Sequence, residues 1–456
     1  MQKKYYEHYF KGKKVTIMGL GLLGRSLQVA QFVAQCGAKV TVTDLKDKKT
    51  LEKSISKLKK YKIRYVLGKH DLKDFENVDM VIKAPGVPID SPYIKHARKN
   101  GVDVVMDASL FSRIAPFVHV VGVTGTRGKS ITTSAIYHTL KSNEKSLGCS
   151  VYSGGNLRGQ ATLPLLKKVK EGDIVVLELD SWQLQGFGDE KISPNMSVFT
   201  SFMQDHMNYY GSTSLTTSAA MKKYFADKAN IFKYQTKNDF LVIRPKMKEW
   251  INRSDAKGKL IVANKNKISG YKLNVFGDYN LENMACVYEV AKIFDLSDIK
   301  IKKSLESFPG LEGRMQFIRS FKGIDVYNDN NSTTPQATVA GIEALVKYKN
   351  KKGKIVLIAG GNDKNIDISD LLKDIKKNIK HTFLIPGTGT ERLVSSLGNA
   401  SNVDVCRSLK QAMDKSTKFA ERGDVILFSP GFSSFSQYNN EYERNDEFIK
   451  LVKRWK

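Results

Sequence analysis

The 456-residue sequence predicts an α/β protein of three domains, each built on a mostly parallel sheet. Apolar runs of strand length alternate with amphipathic stretches along the whole chain. Polar, glycine-rich residues fall where those runs end, as they do at the carboxyl edge of a parallel sheet. The alternation also restarts twice, near Phe117 and near Arg314, which sets domains at 1–115, 116–313 and 314–456. A chain of this length exceeds one ordinary hydrophobic core, and 41% hydrophobic residues suffice to build several.

The first domain opens with KKVTIMGLGLLGRSLQVAQFVAQCGAKVTVTDLK, read as strand, glycine turn, helix and strand, with Asp44 closing the second strand. Gly19, Gly21 and Gly24 let a ligand approach the helix N-terminus, and Asp44 is placed to accept hydroxyl hydrogen bonds. Taken alone, this layout is compatible with a redox dinucleotide, with another nucleotide or phosphate, or with a structural turn. A further strand, VDMVIKAPGVP, ends at Ala84, Pro85 and Gly86 and supplies a rim for the same cleft.

The second domain carries the most informative segment, VVGVTGTRGKSITTSAIYHTL from Val120 to Leu140. A hydrophobic strand runs into a turn containing Gly122, Gly125 and Gly128, and then into a helix opening at Lys129 and Ser130. Glycines allow backbone N–H groups to reach phosphate oxygens, and the free amides of the helix start add partial positive charge. Lys129 supplies a mobile point charge, and Ser130 or Thr132 an oxygen for magnesium. Val123 stands where the usual phosphate-loop pattern has its first glycine, so the strand-to-helix context identifies the loop against a merely structural turn.

Downstream, GDIVVLELDSWQLQ and ISPNMSVFTSFMQDHMNYY read as strands whose ends hold Glu178, Asp180, Asp205 and His206. AAMKKYFADKANIF then reads as an amphipathic helix with Ala220, Tyr224 and Lys228 at helical spacing. Pattern alone leaves Lys228 open to a plain surface role. In the third domain GIDVYNDNNSTTP, KIVLIAGGNDK, HTFLIPGTGT and DVILFSPGFSSF are four apolar strands, each followed by Gly, Asn, Ser or Pro and a helical segment.

Composition excludes some functions and weakens others. Cys36, Cys149, Cys286 and Cys406 are scattered, which argues against a zinc knuckle and a disulfide scaffold and fits a reducing cytoplasm. The chain is expected to enter a strand directly after its first residues, with neither signal peptide nor membrane span. A formal net charge of +28 raises nucleic acid as a competing partner. The lysines, however, occur in short clusters (46–49, 57–62, 347–354, 373–380) rather than as one basic tail, and no zinc-finger spacing accompanies them, as expected for solvated faces and attraction of anionic small substrates.

In this order, GLGLLGRS, GVTGTRGKSITT, GGN (154–156), LELDSWQL, QDHMNYY, YFADKANIF, YNLEN (279–283), LEGR ending at Arg314, NDNNSTTP, AGGNDK and SPGFSSF resemble the Mur ligases over nearly the whole chain. These are ATP-dependent enzymes forming peptide bonds in cell-wall precursors, and the likeness is greatest to the branch that adds D-glutamate to UDP-N-acetylmuramoyl-L-alanine. The resemblance implies a Rossmann-like N-terminal domain binding the UDP end of that substrate, which replaces the redox reading. It also implies a central P-loop ATPase-type domain and a Rossmann-like C-terminal domain for the incoming amino acid.

Site roles follow from the same resemblance. Lys129, His206 and Lys228 become catalytic, and Gly125, Thr126, Gly128, Lys129, Ser130, Thr132, Asn280, Asn283, Arg314 and Asp329 bind ATP. Ser130, Glu178, His206 and a carbamylated Lys228 would organise two Mg2+ ions. Gly21, Leu22, Leu23, Asp44, Gly86, Asn156 and Gln183 face the UDP substrate, and Thr333, Lys364 and Ser434 receive the D-glutamate carboxylates. A cytoplasmic monomer acting on small molecules is expected, with nucleic acid not the main partner.

Four positions depart from the family pattern. Asp180 replaces a serine, Tyr279 a histidine, Asn331 a lysine and Glu441 a phenylalanine, and GSTSLTTSAA lengthens the interval between His206 and Lys228. A related ligase adding a different amino acid is the alternative these departures raise. A folate polyglutamylating ligase is disfavoured by the UDP-type first domain, and a basic nucleic-acid-binding protein would make Glu178, His206 and Lys228 ordinary surface or packing residues.

Overall fold

The computed structural model describes residues 5–455 apart from 23, 158, 211–216, 253, 276, 352–353, 399, 436 and 439. Its strands form three separate sheets, one for each expected α/β region. The first contains β1 (Lys14–Met18), β2 (Lys39–Asp44), β3 (Ile63–Leu67), β4 (Met80–Lys83) and β5 (Asp103–Val105), all parallel in the order β3-β2-β1-β4-β5. The order reverses beside β1, so the crevice beyond its carboxyl end is where such a sheet takes a ligand.

The second sheet contains β6 (His119–Thr124), β7 (Val151–Gly155), β8 (Ile174–Glu178), β9 (Met196–Phe199), β10 (Phe240–Ile243) and β11 (Lys259–Val262). Its order, β11-β10-β9-β6-β8-β7, puts the phosphate-loop strand β6 between β8 and β9. Every residue of β8 is buried, which explains its unbroken apolar reading: both faces are covered. The third sheet contains β12 (Gln316–Phe321), β13 (Ile324–Asn328), β14 (Ile355–Gly360), β15 (Ile379–Ile385), β16 (Val403–Val405) and β17 (Val425–Gly431). It is ordered β12-β13-β17-β14-β15-β16, with β12 antiparallel to β13 and the other pairs parallel.

By its contacts the chain forms two compact units, Met1–Tyr271 with Glu282–Glu306, and Lys272–Leu281 with Ser307–Lys456. The first two sheets lie in the first unit. One expectation is corrected: the chain does not enter β1 directly, because a helix, Tyr5–Phe10, precedes it. Tyr, His and Phe are indifferent helix formers, but Phe10 is fully buried and meets Phe32 edge to face at 5.8 Å, so packing rather than propensity holds the turn. No described helix is long and apolar enough to cross a membrane.

Candidate active site

The phosphate loop is fixed by the segment that follows β9. Thr126 donates its N–H to the Ser201 carbonyl at 2.7 Å, and the Thr126 hydroxyl accepts from Met203 N–H at 3.1 Å. Gly125 adopts φ 148°, and a Cβ there would lie 2.1 Å from Thr200 Oγ1. Gly128 caps the helix Lys129–Lys141 in the left-handed region (φ 85°), and its missing Cβ leaves room for Asn283 Oδ1, which would otherwise sit 2.8 Å away. The glycines therefore answer both a conformational demand and a close approach. Val123 departs from the phosphate-loop pattern because it belongs to β6, fully buried in the sheet.

Lys129 turns its amine onto the loop, donating to the carbonyls of Gly125 at 2.7 Å and Thr126 at 3.1 Å. Ser130 is partly exposed, whereas Thr132 is fully buried with no hydrogen-bond partner for its hydroxyl among the described residues. Ser130 is thus the hydroxyl presented beside the loop. Asn283 Oδ1 is likewise buried without a described partner, an acceptor left open next to Gly128. Asn280 lies one turn earlier on the same helix, Asp278–Ile293, and is also buried.

Glu178, the last residue of β8, is in register with Val123 of β6 and Gly155 of β7. The GGN turn brings Asn156 against it: Gly155 has φ 85°, and a Cβ there would lie 2.1 Å from the Glu178 carbonyl oxygen. Asn156 N–H donates to that carbonyl at 2.7 Å, and its side-chain amide donates to Glu178 Oε1 at 3.3 Å. Arg25, opening the helix after the first glycine turn, donates to Asn156 Oδ1 at 2.7 Å. Asp180 caps the helix Ser181–Asp189 through a capping box with Gln183, a task that serine also performs, so this departure leaves the local fold intact.

Lys228 is 1% exposed, in the last turn of the helix Thr217–Ala229. Its amine donates to the Gly125 carbonyl at 3.0 Å and lies 4.9 Å from the centre of the Tyr224 ring. Burial, reinforced by the charge of Lys129, holds its pKa well below the usual lysine range against the opposing pull of Asp180, Asp205 and Asp227. A plain surface role for Lys228 is therefore ruled out by position. His206, left-handed at φ 56°, sets its ring 5.0 Å from Trp182 and 6.0 Å from Tyr224, and burial lowers its pKa. Residues 211–216 of the lengthened interval lie outside the described ones. Among the described residues no three His, Cys, Asp or Glu gather closely enough to hold a metal by themselves.

In the first domain Asp44 is 6% exposed and its two carboxylate oxygens accept the N–H groups of Gly21 (2.9 Å) and Lys46 (2.8 Å). It therefore organises the glycine turn as well as lying beside it. Gly86 has open space around it, Leu22 is exposed, and Leu23 lies outside the described residues. Gln183 is buried and lines one cavity with Arg25, Lys83 and Asp107 at the carboxyl ends of β1 and β4.

In the second unit, loops after three adjacent strands, β13, β17 and β14, gather the remaining residues. Lys364 donates to Thr333 Oγ1 at 3.1 Å, and the bridge Asn362–Ser433 joins the AGGNDK loop to the SPGFSSF loop carrying Ser434. Asp329 is 4% exposed and accepts from Ser429 Oγ (2.8 Å), Ser332 Oγ and Met315 N–H (3.0 Å). Burial raises its pKa to about 6 despite those donors. Arg314 is exposed. Sequence reading missed Arg444, fully buried yet charged, which donates to Asn330 Oδ1 (2.8 Å), Asn330 O (3.1 Å) and Phe432 O (3.3 Å) and so pins two of these loops. Burial lowers its pKa to about 10, against the opposing pull of Tyr438 and Glu441.

Residues 13–106 match the Mur ligase MurD-like N-terminal domain, 123–268 the Mur ligase middle domain, and 313–432 the Mur ligase glutamate ligase domain. The chain is 33% identical to a UDP-N-acetylmuramoylalanine–D-glutamate ligase of Borreliella burgdorferi, over 97% of this chain and 98% of that one. In fold it is similar to the UDP-N-acetylmuramate-alanine ligase of Thermotoga maritima (TM-score 0.58, 19% identity, 97% and 99% covered). It is also similar to the MurF ligase of the same organism, solved with ADP (TM-score 0.57, 17% identity, 98% and 97% covered).

Proposed function

Because the chain belongs to the Mur ligase family of ATP-dependent carbon–nitrogen ligases in peptidoglycan precursor synthesis, we propose that it joins D-glutamate to UDP-N-acetylmuramoyl-L-alanine. The observation that carries this reading is the contact between the buried amine of Lys228 and the phosphate-loop carbonyl of Gly125. Buried against a nucleotide loop, with its pKa held well below the usual lysine range, this residue is not a surface cation, and its ammonium form is disfavoured relative to the neutral amine. Its free electron pair can attack CO2, forming an N–C bond and releasing one proton, which converts the amine into a carbamate anion.

The donors fit magnesium. Mg2+ prefers a few protein oxygens completed by phosphate and water, so the absence of a three-residue cluster among the described residues is compatible with it. Glu178, Ser130, His206 and the Lys228 carbamate would hold the metal, which supplies charge neutralisation at the transferring phosphoryl group. Lys129 and the loop amides orient the triphosphate, with Asn283 accepting beside Gly128. Asn280, Arg314 and Asp329 complete the ATP assignment.

The alanyl carboxylate oxygen attacks the γ-phosphorus, the bond to the bridging oxygen breaks, and ADP leaves with that electron pair. The amine of D-glutamate then adds to the acyl carbon, and collapse of the tetrahedral adduct expels phosphate and leaves the amide after loss of protons. Gly21, Leu22, Leu23, Asp44, Gly86, Asn156 and Gln183 bind the nucleotide-sugar, while Thr333, Lys364 and Ser434 bind the two carboxylates of the amino acid, for which a cation and hydroxyls are suited. The domain boundaries 1–115, 116–313 and 314–456 separate these tasks.

A second reading, a ligase for a different amino acid, is favoured by Asn331 and Glu441, which replace a cation and an apolar group around that pocket. Amino-acid-dependent phosphate release from ATP separates the two, with UDP-N-acetylmuramoyl-L-alanine and Mg2+ and a panel of D-glutamate, L-glutamate, L-lysine, glycine and D-aspartate. A product mass for the D-glutamyl amide alone supports the first reading; preference for another amino acid supports the second; no amide with any of them overturns both.

A further inference from the structure

We propose that Arg127, inside the phosphate loop, is a further catalytic residue whose guanidinium contacts the γ-phosphoryl group as it is transferred. The proposal rests on the reading of this loop as the ATP site. The backbone of Arg127 is held on both sides: its N–H donates to Ser201 Oγ at 2.8 Å, and its carbonyl accepts from Thr200 Oγ1 at 2.6 Å and from Ser201 Oγ at 2.9 Å. With Thr126 joined to Ser201 and Met203, the peptide leading into Gly128 is fixed from Gly125 onward.

The side chain contrasts with that backbone. It is exposed and has neither a hydrogen-bond nor an ion-pair partner among the described residues. A solvated arginine on a helix face would be unremarkable, but this one projects from the turn that cradles the phosphates. Its neighbour Lys129 is turned back onto the carbonyls of Gly125 and Thr126, so Arg127 is the loop cation that remains uncommitted.

The residue before Arg127, Thr126, sets its hydroxyl 3.4 Å from the Tyr224 hydroxyl, so Arg127 follows directly on the part of the loop that faces Tyr224, His206 and Lys228. Negative charge spreads over three equatorial oxygens during phosphoryl transfer, and a planar fork of donors matches two of them. The same stabilisation is supplied in other nucleotide enzymes by an arginine added from outside the loop. In this chain it is built into the loop.

The test compares the full chain with Arg127→Ala and Arg127→Lys, after confirming unchanged thermal unfolding, as the exposure of the side chain leads us to expect. Arg127→Ala should lower kcat for amino-acid-dependent phosphate release by about 10³-fold, the scale of an arginine acting on the transferring group. Binding of Mg-ADP should change less than about threefold, and Arg127→Lys, with charge but no fork, should fall between. Added guanidinium ion should restore part of the Arg127→Ala rate.

A kcat within about threefold of the parent overturns the proposal, as does an equal loss of affinity for ADP and for a non-hydrolysable ATP analogue, since that marks a general phosphate contact. If the parent chain forms no amide with any amino acid, the ligase reading fails, and the ratio of analogue to ADP affinity still decides the role of Arg127. A ratio lowered by Arg127→Ala supports the contact with the γ-phosphoryl group. An unchanged ratio rejects it.

Discussion

Lys228 presses a fully buried amine against the carbonyl oxygen of Gly125, 3.0 Å away, so the residue proposed to become a metal-holding anion is tied directly to the phosphate loop. Burial and Lys129 both disfavour its ammonium form, which favours reaction of the amine with CO2. Gently ionised protein kept in bicarbonate should therefore carry one labile adduct of CO2 mass, lost on acidification and absent from Lys228→Ala. That variant should lose about 10²-fold or more in ligation, with partial recovery in small carboxylic acids. A fully active Lys228→Ala enzyme would contradict the assignment.

The loop glycines give a graded expectation. Gly128→Ala places a side chain in the left-handed region and 2.8 Å from Asn283 Oδ1, a flexible amide end that can shift. Its cost should be about 1–2 kcal/mol in stability. Gly125→Ala meets Thr200 Oγ1 and the Ser201 backbone nitrogen at 2.1 and 2.8 Å, so the loop itself must move. Denaturant unfolding should show the larger loss for Gly125→Ala, and ATP-analogue binding should fall in the same order. The reverse order would show that the Thr200–Ser201 clamp does not hold the loop.

Asn156 bridges Arg25 and Glu178. Its replacement by alanine removes one donor from a buried carboxylate proposed to hold magnesium, and the concentration of Mg2+ needed for half-maximal phosphate release should rise about tenfold. A change confined to the KM for the nucleotide-sugar would instead mark Asn156 as a substrate contact alone.

Asp329 yields a pH prediction. Its folded pKa, raised by burial to about 6, lies above the ordinary aspartate value of 3.8, so the folded state holds the proton more tightly. The stabilisation is full below the unfolded pKa and is lost as pH rises through about 6, a difference on the order of 3 kcal/mol. Asp329→Asn lacks that loss. The stability of the variant relative to the parent should therefore increase between pH 4 and pH 7 in denaturant melts, and a difference constant with pH would exclude a raised carboxyl pKa.

The three parallel-rich sheets, the phosphate loop and the strand-end position of Glu178 were all legible in sequence because each depends on local pattern: apolar runs, glycines and a following helix start. Lys228 was legible only in part. Ala220 and Tyr224 share its helical face and prove as buried as it is, yet a lysine on an apolar stripe reads equally well as a snorkelling surface residue. Arg444 was hidden altogether, since EYERNDEF looks like a solvated helix start and only the loops after β13 and β17 enclose it. The burial of Thr132 and the capture of Asp44 by the amides of Gly21 and Lys46 likewise depend on tertiary contacts that spacing does not encode.

The central claim is that the alanyl carboxylate is activated by phosphoryl transfer before the amide forms. UDP-N-acetylmuramoyl-L-alanine labelled with 18O in both carboxylate oxygens, turned over with ATP, Mg2+ and D-glutamate, tests it most directly. One labelled oxygen should appear in the released phosphate and the other in the new amide, because the phosphate leaves with the oxygen that attacked phosphorus. Unlabelled phosphate accompanying amide formation would contradict an acyl-phosphate path.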